Sequence, residues 1–398
     1  MQQLRNRLPT RRLLRLSAPA LTVLDITEYY GETSGGVRTY LREKAAFVTR
    51  RQSLRQIVVV PGERDAVSDD GPVRRYEIGV PIIPGQKPYR AMLAPGRIRS
   101  ILARERPDII EIGSSHFVPW LVRGAARRLG IPAVWFFHGH IPRVIAPRLE
   151  HDVLLRRWAS GVAARYVRRI GRSVARTLVA TDAVKADLES FGVERVVRVP
   201  LGVDTDTFHP SRRTRSPETR RRLGVGAGSL GVYAGRFTAE KDLATAIRGW
   251  KALRQDGATL LLVGAGPQEK KLRSLMDGSV RIVPFIHDRE LLADLYAAAD
   301  LYLAPGPAET FGLSAHEAMS SGTPVLSVDV GAVAEQVRRS GAGVLYRLGD
   351  AESLAAGAAA LLESAEGLRL GARRFIEAHH RWDAAFERIF DVYRDVLA

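Results

Sequence analysis

Glu309 and Glu317 stand eight residues apart in the stretch PAETFGLSAHEAMSSGTP, residues 307–324. Two acids at that spacing could form a catalytic pair, a metal site, or a cradle that holds hydroxyls beside a phosphate. Gly322 and Pro324 mark the end of a helix that begins near Gly312 or Leu313. The free N–H groups of its first turn point back at the loop carrying Glu309, and such a terminus favours anions. Gly312 allows close approach to the backbone. Glu317 lies one turn in, on the face of Leu313 and near Ser314, where a carboxylate accepts hydrogen bonds from vicinal hydroxyls such as a ribose. Acids near a helix start also complement its dipole with no ligand at all.

Three further stretches carry chemistry. A strand ends at Ala234-Gly235, and Arg236 and Lys241 follow as a fork and a point charge suited to a diphosphate. Gly35-Gly36 opens the first helix and could approach a phosphate, although the three-glycine dinucleotide fingerprint is absent. His138 ends an apolar run and is expected to face a cleft and contact a substrate hydroxyl. His140, two residues on, lacks an evident third metal ligand. Asp204 and Asp206 have the spacing of a metal-binding pair but are assigned to a turn remote from the cradle.

The elements that must position these residues alternate between strand and helix. Short apolar runs such as LTVLDI, QIVVV, PDIIEIG and AVWFFH predict a parallel sheet covered on both faces. The arginine-rich segment around residues 201–226 breaks the rhythm and reads as a linker, with Ser216 capping a helix that starts at Pro217. A second alternating series follows, from LGVYAG to GVLYRL. The reading is an α/β chain of two doubly wound, Rossmann-like domains facing a central cleft. Its parts are a basic arm (1–20), a first domain (21–204), a second domain (205–375) and a terminal helix (376–398). In that helix Trp382, Phe386, Ile389, Phe390, Tyr393 and Leu397 share one face.

Composition excludes some classes. There is no cysteine, so neither disulfides nor thiolate metal sites are available. No apolar run reaches the roughly 18 residues of a membrane span, and the expected location is the cytoplasm. The net charge of +17 resides in the first half: residues 1–200 carry 35 Lys and Arg against 18 Asp and Glu, and residues 201–398 carry 25 of each. That asymmetry suggests an anionic contact for the first half. A nucleic-acid partner is not expected, because no recognisable motif or aromatic-rich basic stripe accompanies the charge.

Together, the Glu-x7-Glu spacing, the Gly-Arg and Glu-Lys pair at 235–241, LLLVGAGP, GVDTDTF, ADLYLAPG and the N-terminal Gly-Gly resemble family 4 retaining glycosyltransferases of GT-B fold. SGGVRTY and FHGHIPR resemble the branch with bacterial α-mannosyltransferases and sulfoquinovosyl transferases. The resemblance spans residues 21–398. It implies a nucleotide-sugar donor on the second domain, an acceptor on the first, and a final helix that crosses back to the first domain. It further implies that Arg236 and Lys241 grip the diphosphate and that Glu317 holds the ribose. Glu309 and the backbone at Phe311, Gly312 and Leu313 would hold the transferred sugar, and Pro284, Phe285 and Ile286 would meet the base. Gly35 and Gly36 would approach the phosphates and His138 the reacting carbon. The 20-residue basic extension and the glycine after His138 depart from the family pattern.

The expected reaction is retaining transfer of a hexose from a UDP- or GDP-linked donor to an acceptor hydroxyl, with no cofactor and no metal. A lipid-linked acceptor at an anionic membrane surface fits the basic half, through Arg5, Arg7, Arg11, Arg12, Arg15 and the segment LLRRWASGVAARYVRRIGR. A soluble acceptor, or a sugar-nucleotide epimerase of the same fold, is the alternative.

Overall fold

The computed structural model describes residues 21–31, 35–84, 89–140 and 153–398, without the side chains of 153–156. The basic arm with Arg5, Arg7, Arg11, Arg12 and Arg15 lies outside the described residues. Two sheets organise the rest. The first has the strand order β3-β4-β2-β1-β5-β6-β7-β8. Its strands are β1 (Leu21–Ile26), β2 (Leu54–Gly62), β3 (Ala66–Asp70), β4 (Val73–Gly79), β5 (Ile109–Ile112), β6 (Ala133–Phe136), β7 (Arg176–Val179) and β8 (Val196–Arg198). The second has the order β11-β10-β9-β12-β13-β14. It comprises β9 (Leu230–Ala234), β10 (Thr259–Val263), β11 (Val280–Val283), β12 (Leu301–Ala304), β13 (Val325–Val328) and β14 (Gly343–Tyr346).

All pairings are parallel except β3 with β4. Every residue of β1, β5, β12 and β13 is buried, which explains why they read as largely apolar runs with no alternation; the charged exceptions Asp25 and Glu111 are buried too. The sequence reading passed over the β3–β4 hairpin. β3 is exposed throughout and reads Ala-Val-Ser-Asp-Asp. Its turn at Gly71, with φ 57°, is the local signal that identifies it.

The segment after β8 is not a free linker. Residues Pro210–Arg215 form a 3₁₀ turn that runs into the helix Ser216–Arg222. Its arginines are pinned: Arg212 Nη1 donates to Asp294 Oδ1 at 3.0 Å and Arg220 Nη2 to Asp300 Oδ2 at 2.9 Å. Ser216 does not cap, because the 3₁₀ turn already supplies the residues before it and no side-chain cap is formed there.

The chain returns to the first domain at its end. The 29-residue helix Ala351–His379 packs on the second sheet. His380 breaks it, and the helix Trp382–Leu397 follows. Phe386 and Phe390 of that helix meet Phe47 of the helix Gly35–Thr49, with ring centroids 5.3 and 5.5 Å apart. Leu397 stays largely exposed.

A charged network lies under this contact. Lys44 Nζ donates to Asp25 Oδ1 at 2.6 Å and Tyr393 Oη at 2.7 Å, and it is 3.5 Å from Glu111 Oε2. Tyr40 Oη donates to Glu111 Oε1 at 2.8 Å, and Gln56 Nε2 to Asp25 Oδ2 at 2.7 Å. All six residues are buried. Burial raises the Asp25 pKa, Lys44 pulls it back, and Glu111 adds to the rise. One cation thus compensates two buried carboxylates, and removing it leaves both without a countercharge, held only by the neutral donors Gln56, Tyr40 and Tyr393. Lys44→Met is expected to cost about 3–5 kcal/mol of stability at pH 7.5, read by urea unfolding. The cost should shrink toward pH 5, as Asp25, whose carboxyl is raised to about 6, then takes up a proton. A loss under about 1 kcal/mol would contradict this account of the network.

Candidate functional site

Each sheet has a switch point, where the chain leaves in opposite directions from neighbouring strands. In the second sheet it falls between β9 and β12, and in the first between β1 and β5. Ligands of such sheets bind beyond the carboxyl ends of the strands at these points. Beyond β9 come Gly235, Arg236 and Lys241, and beyond β12 comes the loop with Glu309. Beyond β1, β5 and β6 lie Glu28, His116 and His138. All of these line one cavity of about 1360 Å³ between the domains.

The same cavity is lined by Gly35, Gly36, Phe285, Ile286, Phe311, Gly312, Leu313, Ser314 and Glu317. Of the residues expected from the sequence to contact the donor or the reacting carbon, only Pro284 falls outside it: Pro284 is exposed, and the lining begins at Phe285.

The helix Leu313–Ser320 begins at Gly312, whose φ of 82° and ψ of 56° are left-handed. A Cβ there would also run into Val333 Cγ2, so glycine is required twice over. No side chain caps this terminus, which leaves first-turn N–H groups without a side-chain acceptor. His316 Nδ1 lies 2.9 Å from the Gly312 carbonyl, and its ring stacks on Phe311 at 3.9 Å. That stack fixes the backbone at the cavity wall.

The charges are arranged in pairs. Lys241 Nζ donates to Glu309 Oε1 in a close ion pair. The Arg236 guanidinium lies 4.6 Å from the centroid of Tyr89, which comes from the first domain. Glu317 is 5% exposed and lies 3.7 Å from Arg289, which in turn reaches Asp204 at 3.1 Å. Burial pushes the Glu317 carboxyl up to about 7, against the pull of Arg289. Asp204 therefore differs from its expected place. It does form a turn, accepting from Thr207 N at 3.0 Å, but it is not remote from the cradle, because Arg289 bridges it to Glu317.

His138 sits on a stack. Its ring lies parallel to Phe136 at 4.3 Å and against Tyr40 at 5.1 Å. The surrounding protein and then the Lys44 charge hold its pKa down, to about 3, so the imidazole is neutral. Its carbonyl accepts from Thr310 Oγ1 at 3.1 Å, which ties the Glu309 loop to the first domain. His140 turns away and meets Asp187 Oδ2 at 2.9 Å. Among the described residues no group of three or more side chains is placed to hold a metal ion.

Sequence reasoning missed a pair on the first-domain wall. His116 Nδ1 lies 2.9 Å from Glu28 Oε1 and 3.2 Å from Tyr29 Oη. Glu28 is buried, whereas His116 is half exposed to the cavity. Both follow apolar runs already identified as strands, and their position just past two adjacent strand ends was the available signal. Arg289 and Tyr89 were also missed, because nothing local distinguishes them.

Comparison with known proteins identifies the family. Residues 34–207 match the family model described as Glycosyltransferase Family 4, and residues 229–364 match that of Glycosyl transferases group 1. The chain is 32% identical over 321 residues to the GDP-mannose-dependent alpha-(1-6)-phosphatidylinositol dimannoside mannosyltransferase of Mycobacterium tuberculosis. That match covers 79% of this chain and 81% of the relative. The chain belongs to glycosyltransferase family 4. It is also 31% identical to Sulfoquinovosyl transferase SQD2 of Arabidopsis thaliana, over 76% of this chain and 59% of that one. In three dimensions it superposes on the sucrose-phosphate synthase of Thermosynechococcus elongatus with TM-score 0.76 and 21% identity, covering 94% and 99% of the two chains. The fold is GT-B, and a glycosyltransferase of this family uses a nucleotide sugar.

The burial of Glu317 costs the folded chain stability above neutral pH. Unfolded, its carboxyl ionises near 4.5, and folded near 7. Folding therefore favours the protonated form, and stability falls as pH rises between those values. Glu317→Gln should remove that loss, raising stability at pH 8 by up to about 3 kcal/mol and changing little at pH 4. Urea midpoints at the two pH values check it, and a variant no more stable than wild type at pH 8 contradicts it.

Proposed function

We propose that this glycosyltransferase moves a hexose, by analogy with its relatives a mannose, from a GDP- or UDP-linked donor to a hydroxyl of a lipid-borne acceptor. Transfer proceeds with retention of anomeric configuration and without a metal, at the cytoplasmic face of a membrane. The observation that carries this reading is the meeting of Arg236, Lys241 and an uncapped helix N-terminus with two glutamates at one switch point. No helix among the described residues is long and apolar enough to cross a membrane; the proposed contact with a bilayer is peripheral.

The chemistry follows from charge. As the anomeric C–O bond stretches, negative charge grows on the departing diphosphate. Arg236 and Lys241 are in place for that charge, and preorganised donors in an enclosed site act without reorganising. These cations do the work a metal would otherwise do. The incoming diphosphate competes for Lys241, which releases Glu309 to accept hydrogen bonds from the sugar. Ionised Glu317 accepts from the ribose hydroxyls, and Phe285 and Ile286 flank the base.

Gly35 and Gly36 face the cavity from the first domain, and a Cβ on either would meet nothing within 4 Å. Packing therefore gives no reason for glycine there, and a phosphate approaching the backbone does. Neutral His138 holds a sugar hydroxyl near the reacting carbon and does not serve as a cationic acid. With the acceptor on the same face as the leaving group, a phosphate oxygen takes the acceptor's proton. The new C–O bond then forms on the side the old one left.

Arg236→Ala and Lys241→Ala should each lower turnover of GDP-mannose by about 10²–10³, with thermal unfolding unchanged. Turnover should persist in excess EDTA, and the product should be the α-anomer by NMR. Full activity in Arg236→Ala, or an inverted product, would contradict the reading.

A further inference from the structure

Away from the cleft, the first domain carries a second concave site. The helices Val118–Leu129 and Val153–Gly171 meet where Trp120 Nε1 donates to Tyr166 Oη at 3.0 Å. Beside that contact lies a cavity of about 440 Å³ lined by Arg123, Arg165, Arg168, Arg169, Arg172 and Ser173. Five guanidiniums converge on it. Arg123 and Arg169 lie over the Trp120 ring, at 5.9 and 5.4 Å from its centroid. Among the described residues only Arg172 has a carboxylate in reach, Glu194 at 3.9 Å. Like charges gathered in a hollow repel one another, and an anion seated between them removes that repulsion. Guanidinium forks suit phosphate oxygens.

A solvated basic face would show the same charges, but it would not show the neighbouring apolar groups. On the outer stripe of the helix Val153–Gly171, Trp158 and Val162 precede Arg165 and Arg169, and Arg172 follows just past the helix end. Trp158 is 64% exposed and Val162 39%. Phe117, at the start of the partner helix, is 60% exposed. Arginine beside exposed tryptophan and aliphatic residues is the pattern of a surface that lies at a lipid–water boundary.

We infer that this arginine-lined hollow seats the headgroup phosphate of an anionic bilayer lipid, with Trp158, Val162 and Phe117 entering the boundary beside it. The inference deepens the proposed lipid-borne acceptor by naming the surface that meets the membrane. It also orients the cleft. Tyr166 Oη donates to the carbonyl of His116, so the helix that bears the arginines also holds a residue of the cleft wall. Phe117 follows His116 directly in the chain. A bilayer on this surface therefore lies against the acceptor side of the active site.

The test uses the full-length chain and sedimentation with two sets of vesicles, phosphatidylcholine alone and phosphatidylcholine with about 30% phosphatidylglycerol. Wild type should bind only the anionic set. Arg165→Gln/Arg168→Gln/Arg169→Gln should weaken that binding about tenfold or more, and Trp158→Ser should weaken it several-fold. A variant with the five N-terminal arginines replaced by glutamine separates the arm from the hollow. Circular dichroism and the GDP-induced thermal shift should be unchanged in the triple variant, which keeps this result independent of the donor site. Equal vesicle binding by wild type and triple variant overturns the inference, as does failure of wild type to bind anionic vesicles. A thermal shift with inorganic pyrophosphate that needs the three arginines, without any vesicle binding, would assign the hollow to a soluble phosphate and also overturn it. GDP-mannose turnover in the same preparation tests the proposed transfer separately.

Discussion

A pocket for a diphosphate must keep positive charge in place while no diphosphate is there. In the proposed site the Lys241–Glu309 ion pair would meet that constraint. A lone lysine would swing into solvent and lose entropy on each binding event. Paired, it is restrained at the end of β9, beside the loop that leaves β12. Arg236 is restrained differently, by the face of Tyr89 from the opposite domain. The two cations are thus held by contacts a ligand could displace, one electrostatic and one aromatic. In the proposed reaction those contacts give way to stronger ones at the leaving group.

The rest of the molecule aligns the two halves of that pocket. Thr310 hydrogen-bonds the His138 carbonyl, so the glutamate loop and the first domain are in register at the reacting end. The final helix closes the other side, buried through Phe386, Phe390 and Tyr393. Beneath it, Lys44 serves two purposes. It compensates Asp25 and Glu111, and its charge adds to the forces that keep His138 neutral. A structural ion network and the protonation state of a cavity residue are therefore linked through one side chain.

The parts legible in the sequence were those that rest on short-range pattern. Buried parallel strands such as β1 and β12 are mostly apolar, and Gly312 between Glu309 and Glu317 marks a helix start. The two doubly wound domains followed from the rhythm of such runs, and the GT-B assignment from the resemblance of the motifs to family 4 glycosyltransferases. Less legible were features that depend on distant residues meeting. Asp204 read as an isolated turn because its link to Glu317 passes through Arg289, more than eighty residues away. His116 and Glu28 are as far apart in sequence and meet only because β1 and β5 are neighbours. The arginines after β8 marked a linker, yet acids on the helix Arg289–Ala298 draw Arg212 onto the domain. The exposed β3 carried neither apolar alternation nor β-branched enrichment to mark it.

The most direct test of the central claim is a crystal structure of the chain with GDP. The account predicts that the Lys241–Glu309 pair is broken. Lys241 Nζ should then lie about 3 Å from a diphosphate oxygen, with Arg236 on the same group and Glu309 turned toward the space of the sugar. GDP bound with the Lys241–Glu309 pair intact, or bound away from Arg236 and Lys241, would contradict it.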